Sequence, residues 1–199
     1  MTSIDFSAAK SRIMSIQQRL DAAVEQVRSN KSLTEAGRKR EIAIATMKAK
    51  REAHKAKEEF VATRELERQT LRRLAFGSSV SEKTAGIDRV SMRDALDRAG
   101  ALDTEQSAKD LFERAVLHND DDLAKAVASR AHERKWNDVV TSYGKTFGRQ
   151  RFIDQLDEIP SGPNTDAATN VAFRLQNPRE LRGNTAEHQI QQLATAEVQ

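Results

Sequence analysis

Cysteine is absent from the 199-residue chain. That excludes a disulfide scaffold, a thiol nucleophile and any thiolate zinc or iron-sulfur site, and it fits a reducing compartment. Turn formers and aromatics are scarce too: three prolines, eight glycines, seven phenylalanines, one tyrosine and one tryptophan. A sheet protein of this length needs more β-branched, aromatic and turn residues, so the shortage points to long unbroken helices. No run approaches about 18 apolar residues, and the opening MTSIDFSAAK is not followed by an apolar core. Neither a membrane span nor a signal peptide is expected. What the chain has in quantity is charge, with 32% Asp, Glu, Lys and Arg against 38% apolar residues.

The formal charge of +3 conceals an asymmetry. Residues 1–80 carry 17 basic against 10 acidic side chains, residues 81–159 carry 13 against 16, and residues 160–199 carry 3 against 4. A basic piece and an acidic piece are the mark of a two-part molecule, although long surface helices also need Lys and Arg simply to stay dissolved.

The spacing predicts an all-α fold that opens with a long antiparallel helical hairpin over 1–76. Ser3 or Asp5 can cap the first helix, which runs to about Ser29. Ile13, Ile16, Leu20, Ala23 and Val27 recur at three and four, so they form one coiled-coil-like seam. Ser32 with Glu35 makes a capping box, or Thr34 is the cap, and so short a connection folds the next helix back on the first. That helix extends from Glu35 to about Phe76, stopped by Gly77-Ser78-Ser79. Its seam passes through Ile42, Ala45, Ala49, Ala53, Ala56, Phe60 and Thr63, then less regularly through Leu66, Leu71 and Leu74. Alanine allows close approach but buries little area. The shorter first helix leaves about residues 60–76 uncovered, to pack on a second domain, another copy or a different protein.

Residues 77–90 have no periodicity and read as a linker. Over 91–159 the stripes are short and predict a compact multi-helix domain: helices capped by Ser91, Thr104 and Asp120 or Asp121, a fourth carrying Trp136, Val139, Val140 and Tyr143, and a fifth carrying Phe152, Ile153, Leu156 and Ile159. Pro160-Ser161-Gly162-Pro163 then stops the fold. The tail, 160–199, holds two further helical patterns, around Val171, Ala172 and Leu175 and around Ile190 and Leu193, too poor in apolar area to stand alone. They dock on the preceding domain or order only on a partner.

Motifs for chemistry do not assemble. Gly144-Lys145-Thr146 has the last letters of a phosphate loop, but Val139 stands where the loop needs its first glycine, so Gly144 reads as a helix end. His54, His118, His132 and His188 are too scattered for a local metal pair. Asp120, Asp121 and Asp122 resemble the start of a calcium loop, yet the glycine and glutamate positions are Lys125 and Ala131, so the aspartates read as helix-capping residues. Trp136 reads as core. No catalytic residue, metal ligand or cofactor site is assigned, and a non-enzymatic protein is expected.

The strongest local feature is basic. Arg38, Lys39, Arg40, Lys48, Lys50, Arg51, Lys55 and Lys57 meet only Glu41 and Glu52 between 37 and 57. Arg40, Lys48, Arg51 and Lys55 can share one helix face. Such a stripe is a solvated face, a contact to an acidic protein, or a sequence-independent contact to a nucleic-acid backbone. No aromatics interleave it, which argues against stacking on single strands.

The segment His118 to Tyr143, HNDDDLAKAVASRAHERKWNDVVTSY, resembles the helix pair of small helical proteins encoded beside the capsid and connector genes of tailed actinobacterial phages. The general layout of a long charged N-terminal hairpin is similar as well. Ala128 and Trp136 also resemble the close-packing and bulky partners of tetratricopeptide-like hairpins, but no second copy appears at a 34-residue period. The phage resemblance implies a structural or assembly protein of a virion, located there or in the host cytoplasm, that docks on capsid, portal or tail proteins. Self-association through a seam of Ile13, Ile16, Leu20, Val27, Phe60 and Leu66 is the accompanying expectation. A backbone-contacting nucleic-acid binder is the alternative.

Overall fold

The computed structural model describes residues 6–77, 85–181 and 187–195. These residues form an all-α protein. They comprise nine α-helices and one 3-10 turn, with no strand among them and no helix long and apolar enough to cross a membrane. The expected caps at Ser3 and Asp5 lie outside the described residues.

The chain divides into two compact units, Met1–Arg64 with Pro160–Gln199, and Glu65–Ile159. In the first, α1 (Phe6–Ser29) and α2 (Glu35–Phe76) are the two expected helices. Between the two possible caps the structure selects Thr34, whose Oγ1 accepts from the Gly37 amide at 3.1 Å. Asn30 Oδ1 accepts from both the amide and the hydroxyl of Ser32, which shapes the turn. Two ion pairs fix the register: Arg12 meets Glu59 at 2.6 Å and Arg19 meets Glu52 at 2.8 Å. Seven residues forward on α1 are seven residues back on α2, so the helices run antiparallel.

The tail belongs to this unit rather than forming a separate piece. Here α8 (Pro163–Ala172), the 3-10 turn Arg179–Leu181 and α9 (Glu187–Thr195) bring Phe173, Leu181 and Ile190 into one core with Ile13, Ile16, Leu20, Val24, Ile42 and the alanines of α2. The physical reason lies in those alanines. Two helices meeting through Ala49, Ala53 and Ala56 leave little apolar area out of water, and the bulky tail residues supply it. The helix α2 therefore has two buried sides. Glu52 and Glu59 mark the side of α1, while Phe60, against Phe173 at 5.4 Å, and Arg64, bonded to Asp166 and Thr169, mark the side of the tail. Val171 and Ala172, expected as apolar contacts of the tail, are exposed.

In the second unit α3 (Ala85–Gly100) starts six residues before Ser91, so part of the expected linker is helix; residues 78–84 of that linker lie outside the described residues. It is followed by α4 (Glu105–Leu117), α5 (Asp121–Arg134), α6 (Asn137–Thr146) and α7 (Gln150–Asp157). Thr104 and Asp120 are the N-caps of α4 and α5, accepting from Ser107 at 3.2 Å and Leu123 at 3.0 Å. The central helix is α5, which packs on α3, α4 and α6 and is buried continuously from Leu123 to Ala128. Small side chains make this feasible, because three neighbours can approach one backbone closely.

The last turns of α2 are the part that α1 is too short to reach. They bury Leu71, Ala75 and Phe76 in this unit, while Leu66 stays exposed. Tyr143 is fully buried, donates its hydroxyl to the Ala75 carbonyl at 2.7 Å, and gathers Phe76, Phe112 and Phe147 around its ring. Trp136, expected in the core, is half-buried at the N-cap of α6 instead. Gly144 is not a helix end: it lies within α6, buried, and a Cβ there would come within 3.2 Å of the Gln150 Cα.

Candidate functional site

The basic stripe is preserved in part. Lys48, Arg51 and Lys55 are exposed on α2, spaced three and four, and so share one face. Arg40 is half-buried, its Nε enclosed without a hydrogen-bond partner and its guanidinium 4.0 Å from Glu41, so it does not extend that face. The nearest acids, Glu52 and Glu59, stand four residues after Lys48 and Lys55 and border that face, and the charge of Lys55 also acts on Glu59. Glu52 and Glu59 are held by Arg19 and Arg12 of α1, and the Arg12 hydrogen bond holds the Glu59 carboxyl below its ordinary range despite partial desolvation. Pairing within the hairpin thus leaves positive charge facing out.

The proposed interaction seam is used up inside the unit. Ile13, Ile16 and Leu20 are buried in its core, and Val27 and Phe60 are half-buried against it. Leu66 is the exception at 62% exposed. The three-four spacing does identify the buried face, but its occupants are α2 and the tail of the same chain. Of the six residues, Leu66 alone is left fully exposed.

A second basic feature lies on another side of α2. A cleft of about 1040 Å3 opens between residues 50–57 and residues 170–181, with Lys50, His54 and Lys57 along α2 and Arg174 on the opposite wall. Its floor includes buried Ala53, Phe173 and Leu181. The opposite wall is anchored from α1. The Gln176 amide donates to Gln17 Oε1 at 2.8 Å, and Arg28 grips Glu180 through Nε and Nη2, both at 2.8 Å. That bidentate contact raises the Arg28 pKa and, chiefly through its hydrogen bonds, lowers that of Glu180 to about 2.

Buried polar groups elsewhere serve packing. Arg64, only 7% exposed, donates to Asp166 Oδ1 at 2.9 Å and Thr169 Oγ1 at 3.3 Å, tying α8 to α2. Lys125 lies 3.8 Å from Asp122 one turn away. His132 Nε2 is 2.8 Å from Asp157 Oδ1 and its ring rests on Phe76. No group of three or more His, Asp or Glu side chains among the described residues is arranged to hold a metal ion. The capping reading of Asp120 is met by its bond to Leu123.

The cleft and its anchors were missed in the sequence. Arg64, Asp166, Arg174 and Glu180 are polar residues paired or juxtaposed across more than a hundred positions, and no periodicity announces such pairs. Phe173 was the available signal, a large aromatic in a tail otherwise poor in apolar mass. No protein-family model, curated protein sequence or solved structure matches the chain.

Proposed function

We propose that the chain is a non-enzymatic structural or assembly protein that docks on an acidic surface of a larger protein assembly through the outward basic face of α2. The observation that supports this is the division of labour on that helix. Its acids Glu52 and Glu59 are paired with α1, its apolar side is covered by α1 and the tail, and Lys48 and Arg51 form no ion pair among the described residues. A rigid helix presenting spaced cations over a packed core suits recognition of a complementary surface, with the charges setting orientation and encounter rate. Ile44, 37% exposed one turn before Lys48, adds an apolar contact. The phage-like segment at 118–143 makes a capsid, portal or tail protein the proposed partner class and a virion or the host cytoplasm the proposed location.

Quantitative mass spectrometry of particles purified from the native source tests this. The chain is expected at a fixed copy number, and at a greatly reduced one when Lys48, Arg51 and Lys55 are replaced by Glu. Absence from particles, or incorporation indifferent to the triple replacement, overturns the reading. The same exposed cations favour one alternative, contact with a nucleic-acid backbone, which salt dependence separates from protein docking.

A further inference from the structure

We propose that the cleft between residues 50–57 of α2 and residues 170–181 binds a small molecule carrying two or more linked phosphates, with Lys57 and Arg174 as its principal cationic contacts. This site lies on a different side of α2 from the docking face and does not depend on that reading.

Charge placement carries the inference. Where helices meet in this unit, arginines face carboxylates: Arg12 with Glu59, Arg19 with Glu52, Arg28 with Glu180, Arg64 with Asp166. The cleft breaks that habit. Lys57 and Arg174 face it from opposite walls, and neither has a carboxylate partner among the described residues. Lys50 and His54 lie on the Lys57 side at helical spacing, and His54 has Glu58 3.3 Å away. Lys57 and Arg174 thus offer positive charge from both walls, which a multivalent anion complements.

The ligand class follows from the donors. A lone carboxylate engages one fork or one ammonium, whereas linked phosphates present many acceptor oxygens to donors on both walls at once. Asn170 and Gln176 add carboxamides to the lining. The volume of about 1040 Å3 is at the upper end of the range for small-molecule sites. Both walls are fixed before any ligand arrives. Phe173 and Leu181 are rooted in the core, and Gln17 and Arg28 hold residues 176 and 180, so little ordering cost falls on binding.

Titration calorimetry of the full chain with sodium tripolyphosphate at low salt tests the proposal. One site per chain is expected, with affinity at least tenfold weaker in Lys57→Gln/Arg174→Gln and little changed in Lys48→Gln/Arg51→Gln/Lys55→Gln. Because Arg174 is exposed and Lys57 half-buried, unchanged helical ellipticity should show that the double variant folds. Val171→Asp is the independent check: Val171 is 73% exposed in the cleft lining, so a carboxylate there repels the ligand without removing a buried contact, and binding should weaken. The proposal is overturned if tripolyphosphate does not bind, if the double variant and Val171→Asp bind as the parent does, or if the loss follows the Lys48, Arg51 and Lys55 replacements instead.

Discussion

Arg28 near the end of α1 and Glu180 in the 3-10 turn stand 152 positions apart and meet through two 2.8 Å hydrogen bonds. With Gln17 holding Gln176, this contact straps the segment after α8 across the first helix of the hairpin. The strap makes a tail of low apolar content part of a core instead of a loose extension.

The strap is sensitive to acid. Glu180 is held at about 2 against an ordinary 4.5, so between these values the unfolded chain binds the proton more readily than the folded one. The stabilisation is complete above about pH 4.5 and is lost as pH falls toward 2. Urea midpoints of the parent and of Glu180→Gln, measured from pH 7 to pH 2.5, should show a gap at neutral pH that narrows below about 4.5. Both side chains keep a quarter of their area in solvent, so the gap should be modest and should shrink with added salt. No gap at pH 7, or a gap independent of pH, would show that the charge of Glu180 contributes nothing to stability.

Tyr143 organises the second unit in the same way that the strap organises the first. Its phenol is pushed up to about 12, chiefly by burial, and donates to the Ala75 carbonyl. Tyr143→Phe removes that buried hydrogen bond and should cost about 1–3 kcal/mol in denaturant unfolding. Since the folded pKa is raised, the folded state holds its proton while the unfolded state releases it near pH 10. Stability of the parent should therefore decline as pH rises from about 10 to 12. The Phe variant should lack that component of the decline.

The seam prediction changes with its location. Ile16 and Leu20 are buried among residues of their own chain, so Ile16→Ala and Leu20→Ala should each cost about 2–5 kcal/mol. Light scattering coupled to size exclusion should give the same mass for parent and variants wherever both are folded. A variant that stays fully stable but changes mass would restore the seam to an intermolecular role.

Local signals in this sequence carry the helices well, and the reason is visible in particular residues. Thr104, Asp120 and the three-four spacing from Ile13 to Leu20 act within one or two turns, so their meaning survives any tertiary arrangement. Partner assignment does not survive in that way. A periodic stripe states that a face is buried, not what buries it, and the stripe taken for self-association is covered by α2 and the tail. Alanines at 49, 53 and 56 concealed the second buried side of α2, because small residues give a weak apolar signal and Arg64 on that side reads as solvent-facing. Lys135 is a further case: it terminates α5 in the left-handed region at φ 60°, a conformation that favours glycine. Lys135→Gly should raise stability by about 1 kcal/mol, readable as a shift of the urea midpoint.

Salt decides between the two partner classes for the outward face of α2. The sequence alone offered eight cations between 37 and 57, enough for half a dozen phosphates, whereas the structure leaves Lys48, Arg51 and Lys55 on that face and takes Arg40 out of it. Three phosphate contacts give a slope near 2.7 in log affinity against log salt on duplex DNA, or a loss of roughly 40-fold between 50 and 200 mM. That is too shallow and too few for tight non-specific binding, so duplexes of unrelated sequence should bind the purified chain weakly at 50 mM and not measurably at 200 mM. A protein docking surface should instead keep much of its affinity at 200 mM, because Ile44 and the aliphatic stems of the lysines contribute apolar contact that salt does not screen. Submicromolar duplex affinity at 200 mM that vanishes on changing Lys48, Arg51 and Lys55 to Glu would reverse the assignment and make the phosphate backbone the partner of this face.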